Sequence, residues 1–368
     1  MAGSLQTPTP FTVGCAASMA VLAAASPQVS PGEAEELMLR HYAIAGSAAR
    51  LRGERDDNFR IEGRDGERLI LKVAHHREDP LVTNLHTSLL LYLAGRAPAI
   101  PAPRVLPTND GRSELQLTDG RHAGRIARVT SYLYGRPLHT VPTSASLRRE
   151  VGVTLARLGR GLRDFTHSSA DRVLLWDLQR ADNLRELVTV IPDRNARQTL
   201  LQHLDRFAGV VSPQLTAQGS QIIHNDFNGG NILIDPYRRL VSGVLDFGDA
   251  VRAPRIVDVA IAASYHLTRG ANPTRGAIDL VVGYHQIEPL RQDELSILFD
   301  LVLMRLIFRI VITEWRASRF PADRHDIMRN SLDTWAHLSR LQVVPRSAVD
   351  ADLLRRCSVP RCKGRRRS

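Results

Sequence analysis

The N-terminal third of the chain begins with a helical pattern and continues with short apolar runs typical of strands. A Glu-rich segment that starts at Pro31 predicts a first helix. Residues 58–62 (Asn-Phe-Arg-Ile-Glu) and 68–73 (Arg-Leu-Ile-Leu-Lys-Val) are typical of two strands, and the turn-forming residues 63–66 join them. The pattern therefore predicts a β-hairpin that places Lys72 near the end of its second strand.

The hairpin is followed by a second helix and a further strand. Between Asp79 and Leu93 leucines recur every four residues, which predicts an amphipathic helix packed on the hairpin. Several prolines then end this helix. Residues 125–132 predict another strand, and the Gly-Arg-Pro sequence at 135–137 interrupts regular structure as a hinge would.

Past the hinge the pattern is mainly helical. Apolar residues keep a 3.6-residue period over 147–165, a second helical stretch is predicted from about 182 to 207, and residues 258–341 read as helices. Short strand patterns interrupt this part at 221–223, 231–234 and 241–245. The order predicts an α+β fold with a β-rich N-lobe and a mostly helical C-lobe.

This organisation predicts four segments along the chain. They are a flexible leader (1–30), an N-lobe (31–133), a C-lobe (134–345) and a basic tail (346–368). The leader lacks the basic start of a secretory signal and is too short and too polar to span a bilayer, so we expect no membrane association.

Composition narrows the class of protein. The 368 residues are 43% hydrophobic and 24% charged, as in ordinary globular proteins. The net charge is +11, but the 49 basic residues are spread along the chain, so we expect nucleotides rather than nucleic acid as anionic partners. Three cysteines are too few for a disulfide framework, and a reducing cytoplasm is the expected location.

The strongest chemical signal is the segment His224-Asn-Asp226-Phe-Asn-Gly-Gly-Asn231, followed by Asp246-Phe-Gly. An Asp and an Asn five residues apart, with Asp-Phe-Gly downstream, form the pattern of a kinase catalytic loop and its metal-binding residue. Phosphoryl transfer needs a carboxylate at the acceptor hydroxyl and oxygen ligands for Mg²⁺. The pattern predicts Asp226 as the catalytic base and Asn231 and Asp246 as magnesium ligands, with His224 holding the loop.

The N-lobe supplies candidate nucleotide contacts. Lys72, on the second strand of a hairpin that precedes a helix, is predicted to bind the α- and β-phosphates of ATP or GTP. Hinge residues around Ser131 and Leu133 would contact the base through the backbone, so their identity does not distinguish ATP from GTP.

The chain resembles the aminoglycoside phosphotransferase-like kinases, and among them hydroxylysine kinases and the kinase domains fused to class III aminotransferases. The resemblance covers roughly residues 50–342. It implies a two-lobed, protein-kinase-like fold and a small-molecule acceptor. Besides the catalytic motif, it rests on Asp56-Asp-Asn-Phe-Arg-Ile, Leu71-Lys72, Tyr134-Gly-Arg-Pro-Leu138, Leu175-Trp-Asp-Leu178 and Ser242-Gly-Val-Leu-Asp-Phe-Gly-Asp249.

Two positions depart from what the resemblance implies. A helix Glu commonly pairs with the phosphate-binding lysine in this superfamily, but His86 stands at the corresponding place. An imidazole does not replace a carboxylate as the partner of Lys72, so the site is weakened unless the branch tolerates another residue there. Asn225 stands where the loop commonly has Gly, and Asn tolerates the left-handed backbone that this position calls for.

The acceptor is predicted from the helical lobe. Arg305 and Arg309 lie on one helix face at i, i+4 spacing, where guanidinium groups can hold a substrate carboxylate. Trp176 and Asp177 can bind a substrate ammonium. A hydroxylated amino acid or amino alcohol fits these charges, in agreement with the resemblance to hydroxylysine kinase. Structural roles for all four residues remain open.

Two other functions stay open at this point. The first is an antibiotic kinase acting on an aminoglycoside or macrolide, although the arginines of residues 298–320 disfavour a polycationic acceptor. The second is a nucleotide-binding module without turnover, disabled by the loss of the helix Glu. The sequence leaves the oligomeric state undecided.

Overall fold

The computed structural model describes residues 28–51, 53 and 56–358. The chain divides into two compact units, each built from three stretches of sequence. The first unit comprises the chain up to Val141, Gly161–Leu175 and Gly230–Arg252, and the second comprises Pro142–Arg160, Trp176–Gly229 and the chain from Ala253. The lobe boundaries expected from the sequence stay a prediction, and residues 1–27 of the expected leader lie outside the described residues.

An antiparallel sheet forms the centre of the first unit. Its strands follow the order β1-β2-β3-β6-β4, and β5 also pairs with β6. Lys72 lies in β3 directly opposite Asn58 on one side and Arg128 on the other. The strands are β1 (Gly46–Leu51), β2 (Asp57–Gly63), β3 (Arg68–Val73), β4 (Val105–Leu106), β5 (Leu115–Gln116) and β6 (Ile126–Ser131).

Alternation along these strands explains the core of the first unit. Phe59, Leu71 and Val73 are fully buried, whereas the positions between the buried residues of β2 and β3 are partly accessible. Because successive side chains of a strand point to opposite faces, one face of the sheet forms the core and the other carries Lys72 and Arg128. The predicted hairpin and the strand after it are therefore found where the sequence placed them.

Two helices accompany this sheet. Helix α1 (Pro31–Tyr42) begins at a capping box formed by Ser30 and Glu33 and packs Met38 into the core of the sheet. Helix α2 (Pro80–Arg96) is capped by Asp79, whose side chain accepts the N–H of Leu81.

A small three-stranded antiparallel sheet completes the first unit. It contains β7 (Arg136–Pro137), β9 (Ile232–Ile234) and β10 (Val241–Val244), in the order β10-β9-β7. Gly135, in the predicted hinge, has a φ of 155°, and a Cβ there would lie 2.4 Å from Oγ of Ser242. That hydroxyl donates a hydrogen bond to the carbonyl of Tyr134, so the close approach requires glycine.

The second unit is helical. Its longest helix, α9, is buried over most of its length and packs against α7, α11 and α12. The helices are α3 (Ala145–Leu162), α4 (Leu184–Leu187), α5 (Arg194–Arg206), α6 (Ser212–Thr216), α7 (Arg255–Ser264), α8 (Arg275–Ile287), α9 (Gln292–Arg319), α10 (Arg324–Met328), α11 (Ser331–Gln342) and α12 (Arg346–Cys357). Two further strands are β8 (Ser220–Ile223) and β11 (Val251–Pro254).

Several local predictions need correction. Strand β1 was not expected, because Gly46–Leu51 lacks the alternating apolar pattern of a strand. The helical stretch expected from 182 to 207 is found but is not continuous. The short helix α4 and single helical turns occupy its first half, and α5 begins at Arg194, because Pro192 interrupts the backbone hydrogen bonds of a helix. Part of the predicted tail forms helix α12, with Val349 and Leu353 buried, and residues 359–368 lie outside the described residues. Over the part of the chain that the structure describes, every helix is too short or too polar to cross a membrane.

Candidate active site

The loop after β8 carries the catalytic motif and is held by a buried carboxylate. His224 and Asn225 are fully buried. Asp258, in the first turn of α7, accepts the backbone N–H of His224 at 2.9 Å and that of Asn225 at 2.8 Å. The pKa of the Asp258 carboxyl is raised, because burial outweighs the opposing effects of His224 and of these two hydrogen bonds.

Two further features give the loop its shape. Asn225 has a φ of 64°, the left-handed conformation expected for a residue standing in place of Gly. The backbone N–H of Asp226 donates to Nδ1 of His224 at 3.3 Å, and the His224 ring packs edge-on against Phe227. These contacts hold the backbone on both sides of Asp226.

Asp226 is the acidic side chain at the centre of the second unit's candidate site. One carboxylate oxygen lies 3.1 Å from Arg305 of α9, and the other accepts a hydrogen bond from Asn228 at 2.9 Å. The Asp226 side chain is 24% exposed and that of Arg305 is 3% exposed. A positioned carboxylate that solvent or a ligand can reach, held by two donors, can accept a proton from a hydroxyl group.

Aromatic rings surround the two arginines of α9. The Arg305 guanidinium lies 5.2 Å from the Trp176 ring centroid, and its Nη2 lies 3.4 Å from the Tyr265 hydroxyl. Arg309 stacks on the Tyr265 ring at 4.8 Å. Sequence reasoning placed both arginines on one face but missed Tyr265, which belongs to a different helix end.

The two arginines differ in their charged partners. Arg305 pairs with Asp226, whereas Arg309 has no carboxylate within 4 Å among residues 28–51, 53 and 56–358. Burial lowers the pKa of Arg309, while the nearby Tyr265 raises it. A half-buried guanidinium without a carboxylate beside it can bind the anionic group of a ligand.

Asp177 makes local contacts. It is almost fully buried, caps the short turn Leu178–Asn183 by accepting the N–H of Gln179, and lies 3.5 Å from Arg180. Burial raises the pKa of its carboxyl. Its neighbour Trp176 is half-buried against Arg305. A direct contact of Trp176 or Asp177 with a substrate ammonium stays a prediction.

In the first unit, Lys72 has an acidic partner that the sequence did not reveal. Its ammonium lies 2.9 Å from Oδ2 of Asp56, just before β2. The other oxygen of Asp56 accepts the N–H of His75. His86, on α2, is buried and lines the same cavity as Lys72. Nothing in the local pattern links Asp56 to Lys72, because the two meet only through the pairing of β2 with β3.

The predicted magnesium ligands lie at one end of the β9–β10 pair. Ile232 pairs with Val244, and the N–H of Leu245 donates to the carbonyl of Asn231 at 2.7 Å. Asp246 follows with a left-handed φ of 54°, and its carboxylate accepts the N–H of Gly248. Antiparallel pairing therefore brings Asn231 and Asp246 to the same strand end.

The chemistry of this pair fits magnesium. The described residues include no group of three or more His, Cys, Asp or Glu side chains that could hold a metal ion. Mg²⁺ is typically bound through one or two protein oxygens together with phosphate oxygens and waters, and not in an all-protein cage. An exposed carboxylate at Asp246 and an amide oxygen at Asn231 match that donor set.

The predicted base-binding residues lie beside the small sheet. Ser131 ends β6, and its hydroxyl accepts the N–H of Arg104. Leu133 and Leu233 flank Gly243, where a Cβ would lie 3.2 Å from Leu133 and 3.0 Å from Leu233. An apolar surface with a glycine at its centre suits a flat ring, although base binding by Ser131 and Leu133 stays a prediction.

Known proteins resemble the chain over most of its length. The model of the phosphotransferase enzyme family, APH, matches residues 47–292. A hydroxylysine kinase of Danio rerio is 26% identical over 338 residues, covering 88% of this chain and 94% of that protein. A hydroxylysine kinase of Mus musculus is 24% identical over 318 residues, covering 80% and 84%.

A solved structure shows the same fold. An amicoumacin kinase in complex with AMP-PNP, Ca²⁺ and Ami superposes with a TM-score of 0.61 over 92% of each chain, at 17% identity. At this identity the likeness concerns the fold alone. The α+β, kinase-like fold expected from the sequence, with its β-rich N-terminal part and helical C-terminal part, is confirmed.

Proposed function

Because the chain belongs to the phosphotransferase enzyme family, we propose that it is a small-molecule kinase that phosphorylates a hydroxyl of an amino acid or amino alcohol. The donor is ATP or GTP. The observation that carries this proposal is the group of side chains around Asp226, which joins a carboxylate base to guanidinium groups suited to an anionic acceptor. The names of the two curated relatives support the same class of acceptor.

Asp226 acts as the base in this proposal. The acceptor hydroxyl oxygen attacks the γ-phosphorus, the bond from that phosphorus to the β,γ-bridging oxygen breaks, and the hydroxyl proton passes to Asp226. The nucleoside diphosphate leaves with the electron pair of the broken bond. Arg305 donates to one oxygen of Asp226 and Asn228 donates to the other, and these contacts hold the carboxylate that receives the proton.

The acceptor's carboxylate is assigned to Arg309. Arg305 already pairs with Asp226, so its first role in this proposal is to position the base. Arg309 carries a half-buried positive charge without a carboxylate within 4 Å among the described residues, and Tyr265 fixes the plane of its guanidinium. A planar guanidinium binds a carboxylate through two parallel hydrogen bonds.

The donor is assigned to side chains of the first unit. Lys72 binds the phosphates as a point charge, while Asn231 and Asp246 hold Mg²⁺ through oxygen atoms. When bound, Mg²⁺ neutralises the negative charge of the phosphates and thereby favours attack by an oxygen nucleophile. Ser131 and Leu133 are assigned to the nucleotide base.

Two alternatives predict different behaviour. A polycationic aminoglycoside would meet the charges of Arg305 and Arg309, which repel it. A nucleotide-binding module without turnover would bind Mg²⁺–nucleotide and phosphorylate no acceptor. The three residues that accept the proton and hold the metal are all present, which favours an active enzyme.

The test is a turnover assay of the purified full chain with Mg²⁺ and either ATP or GTP. Acceptors are hydroxylysine, homoserine, ethanolamine, choline and a panel of aminoglycosides. We expect turnover with a hydroxylated amino acid and little with ethanolamine or choline, which lack a carboxylate. Preferred turnover of an aminoglycoside would move the chain to the antibiotic-kinase alternative, and nucleotide binding without any turnover would contradict the proposed activity.

A further inference from the structure

The ammonium group of Lys72 lines a small cavity in the first unit together with two acidic side chains and His86. In protein kinases the phosphate-binding lysine is aligned by a Glu of the helix that follows its strand, and this ion pair is needed for activity. The equivalent helix here, α2, contributes His86 to the cavity. An imidazole carries no negative charge in either protonation state, so His86 does not supply the missing anion.

The anion that faces Lys72 in this cavity is Asp56. Its Oδ2 lies 2.9 Å from Nζ of Lys72, and its Oδ1 accepts the backbone N–H of His75 at 2.9 Å. The two side chains are 16% and 25% exposed, so the pair is sheltered but open to a ligand. One oxygen anchored on the backbone directs the other at the ammonium group.

The remaining acidic side chain of the cavity does not share this role. Glu78 lines the same cavity but makes no ion pair with Lys72 within 4 Å. Arg128, opposite Lys72 in the sheet and 8% exposed, adds a second positive charge. Burial lowers the pKa of Arg128. Among the nearby charges that act against this shift, that of Asp56 has the largest effect. Asp56 thus compensates two neighbouring cations.

We propose that Asp56 is the positioning residue for Lys72 and replaces the helix carboxylate of other kinases. An ammonium group has three N–H donors, so a bond to Asp56 leaves two for phosphate oxygens. Asp56 directs those donors at the nucleotide without touching it. This inference rests on the proposed function, because it assumes that Lys72 binds phosphate.

The test combines Asp56→Asn with Lys72→Gln in a double-mutant cycle. The Asn carbonyl oxygen still accepts the N–H of His75, so the variant keeps the backbone contact and loses only the charge facing Lys72. We expect Asp56→Asn to lower kcat/KM for the nucleotide on the order of 10–100-fold, the range for a lost charged hydrogen bond, with the acceptor KM unchanged. In the Lys72→Gln background the same change should have no further effect, because Asp56 acts through Lys72.

A matched control is Glu78→Gln, which removes one negative charge from the same cavity. We expect it to change nucleotide kcat/KM less than about two-fold. If the effects of Asp56→Asn and Lys72→Gln on kcat/KM are independent and multiply in the double variant, the proposal is overturned. It is also overturned if Glu78→Gln lowers kcat/KM more than Asp56→Asn does. Asp56→Glu, which keeps the charge, should retain more activity than Asp56→Asn, and the reverse order would also contradict it.

Nucleotide affinity, measured by calorimetry with Mg²⁺–ATP and Mg²⁺–GTP, separates this inference from the proposed function. Wild-type protein that binds neither nucleotide would contradict the proposed function and with it the phosphate-binding role of Lys72. Wild-type protein that binds nucleotide, together with Asp56→Asn protein of equal affinity and equal kcat, would contradict only the role of Asp56.

Discussion

The carboxylate of Asp226 lies 3.1 Å from the guanidinium of Arg305, which follows it by 79 residues and belongs to helix α9. The proposed base is thus tied to the longest helix of the second unit. Because Arg305 is 3% exposed while Asp226 is 24% exposed, the arginine is a fixed element and the carboxylate is the part that a ligand can reach. Within this pair, Arg305 holds the carboxylate in place, and Asp226 is the residue that can react with a ligand.

The substitution Asp226→Asn should lower kcat by about 10²- to 10⁴-fold, the range for a lost general base. Nucleotide affinity should stay within about three-fold, because Asp226 does not bind the donor in this proposal. Rates are measured by nucleotide consumption and affinity by calorimetry. Asp235→Asn, in the exposed turn after β9, is the control and should turn over at the wild-type rate. A fully active Asp226→Asn enzyme would refute the role of Asp226.

The substitution Asp246→Asn should weaken both turnover and the Mg²⁺-dependent part of nucleotide binding. In the proposed function the exposed carboxylate that follows β10 is the negatively charged ligand, and an amide there offers only a neutral oxygen. The measurement is nucleotide affinity with Mg²⁺ and with EDTA, for the wild type and the variant. We expect the two proteins to differ with Mg²⁺ and to agree with EDTA. The same Mg²⁺ dependence in both would exclude Asp246 as a metal ligand.

The substitution Arg309→Gln should raise KM for a hydroxylated amino acid about 10- to 100-fold, since charged hydrogen bonds to the acceptor carboxylate are lost. KM for the decarboxylated analogue should hardly change. Steady-state kinetics with both acceptors decide the matter. Arg319→Gln, an exposed arginine in the last turn of α9, provides the control. Equal increases in KM for both acceptors would show that Arg309 does not bind the acceptor carboxylate and has a structural role.

The substitution Asp57→Asn should destabilise the first unit by about 3 kcal/mol at pH 7, because it removes the carboxylate that pairs with the buried Arg125. Asp57 pairs with Arg125 at 2.8 Å, with side chains 7% and 1% exposed, and also with Arg50. Burial alone would raise the pKa of Asp57, but the hydrogen bonds from Arg50 and Arg125 outweigh it and the pKa is lowered.

A lowered carboxyl pKa fixes the sign of the pH dependence. The ion pair of Asp57 stabilises the fold above the ordinary carboxyl pKa of about 4, and this stabilisation is lost as the pH falls through the folded-state value. Urea unfolding of wild-type and Asp57→Asn protein should therefore show a large difference at pH 7 that shrinks in acid. A difference that grows as the pH falls would contradict this account.

Local sequence patterns predicted the parts of the site that depend on neighbouring residues. The hairpin that carries Lys72 and the strand end that carries Asn231 and Asp246 follow from turn chemistry and residue spacing, whereas the left-handed Asn225 follows from the resemblance. The resemblance to aminoglycoside phosphotransferase-like kinases is also confirmed. The hairpin and the strand end are each determined within a few residues of the chain, whereas the resemblance rests on motifs spread along it.

The features that escaped prediction depend on distant contacts. Asp258 reaches the loop at His224 across 34 residues of sequence, and its position in a first helical turn is equally typical of a simple cap. Asp56 meets Lys72 only because β2 and β3 pair in one register. Neither periodicity nor motif spacing predicts such contacts. From the sequence, the loss of the helix Glu at His86 was visible, but the carboxylate that Asp56 supplies to Lys72 was not.

The ion pair of Lys72 has a consequence for control of the enzyme. Protein kinases are switched by moving the helix that carries the glutamate, which makes or breaks the lysine contact. Asp56, Lys72 and the anchoring N–H of His75 belong to β3 and to the residues that flank β2 and β3. The carboxylate that faces Lys72 is therefore carried by the sheet side of the cavity and does not move as part of a helix. In the proposed kinase we therefore expect the lysine contact to form with the sheet itself, without a glutamate delivered by movement of α2.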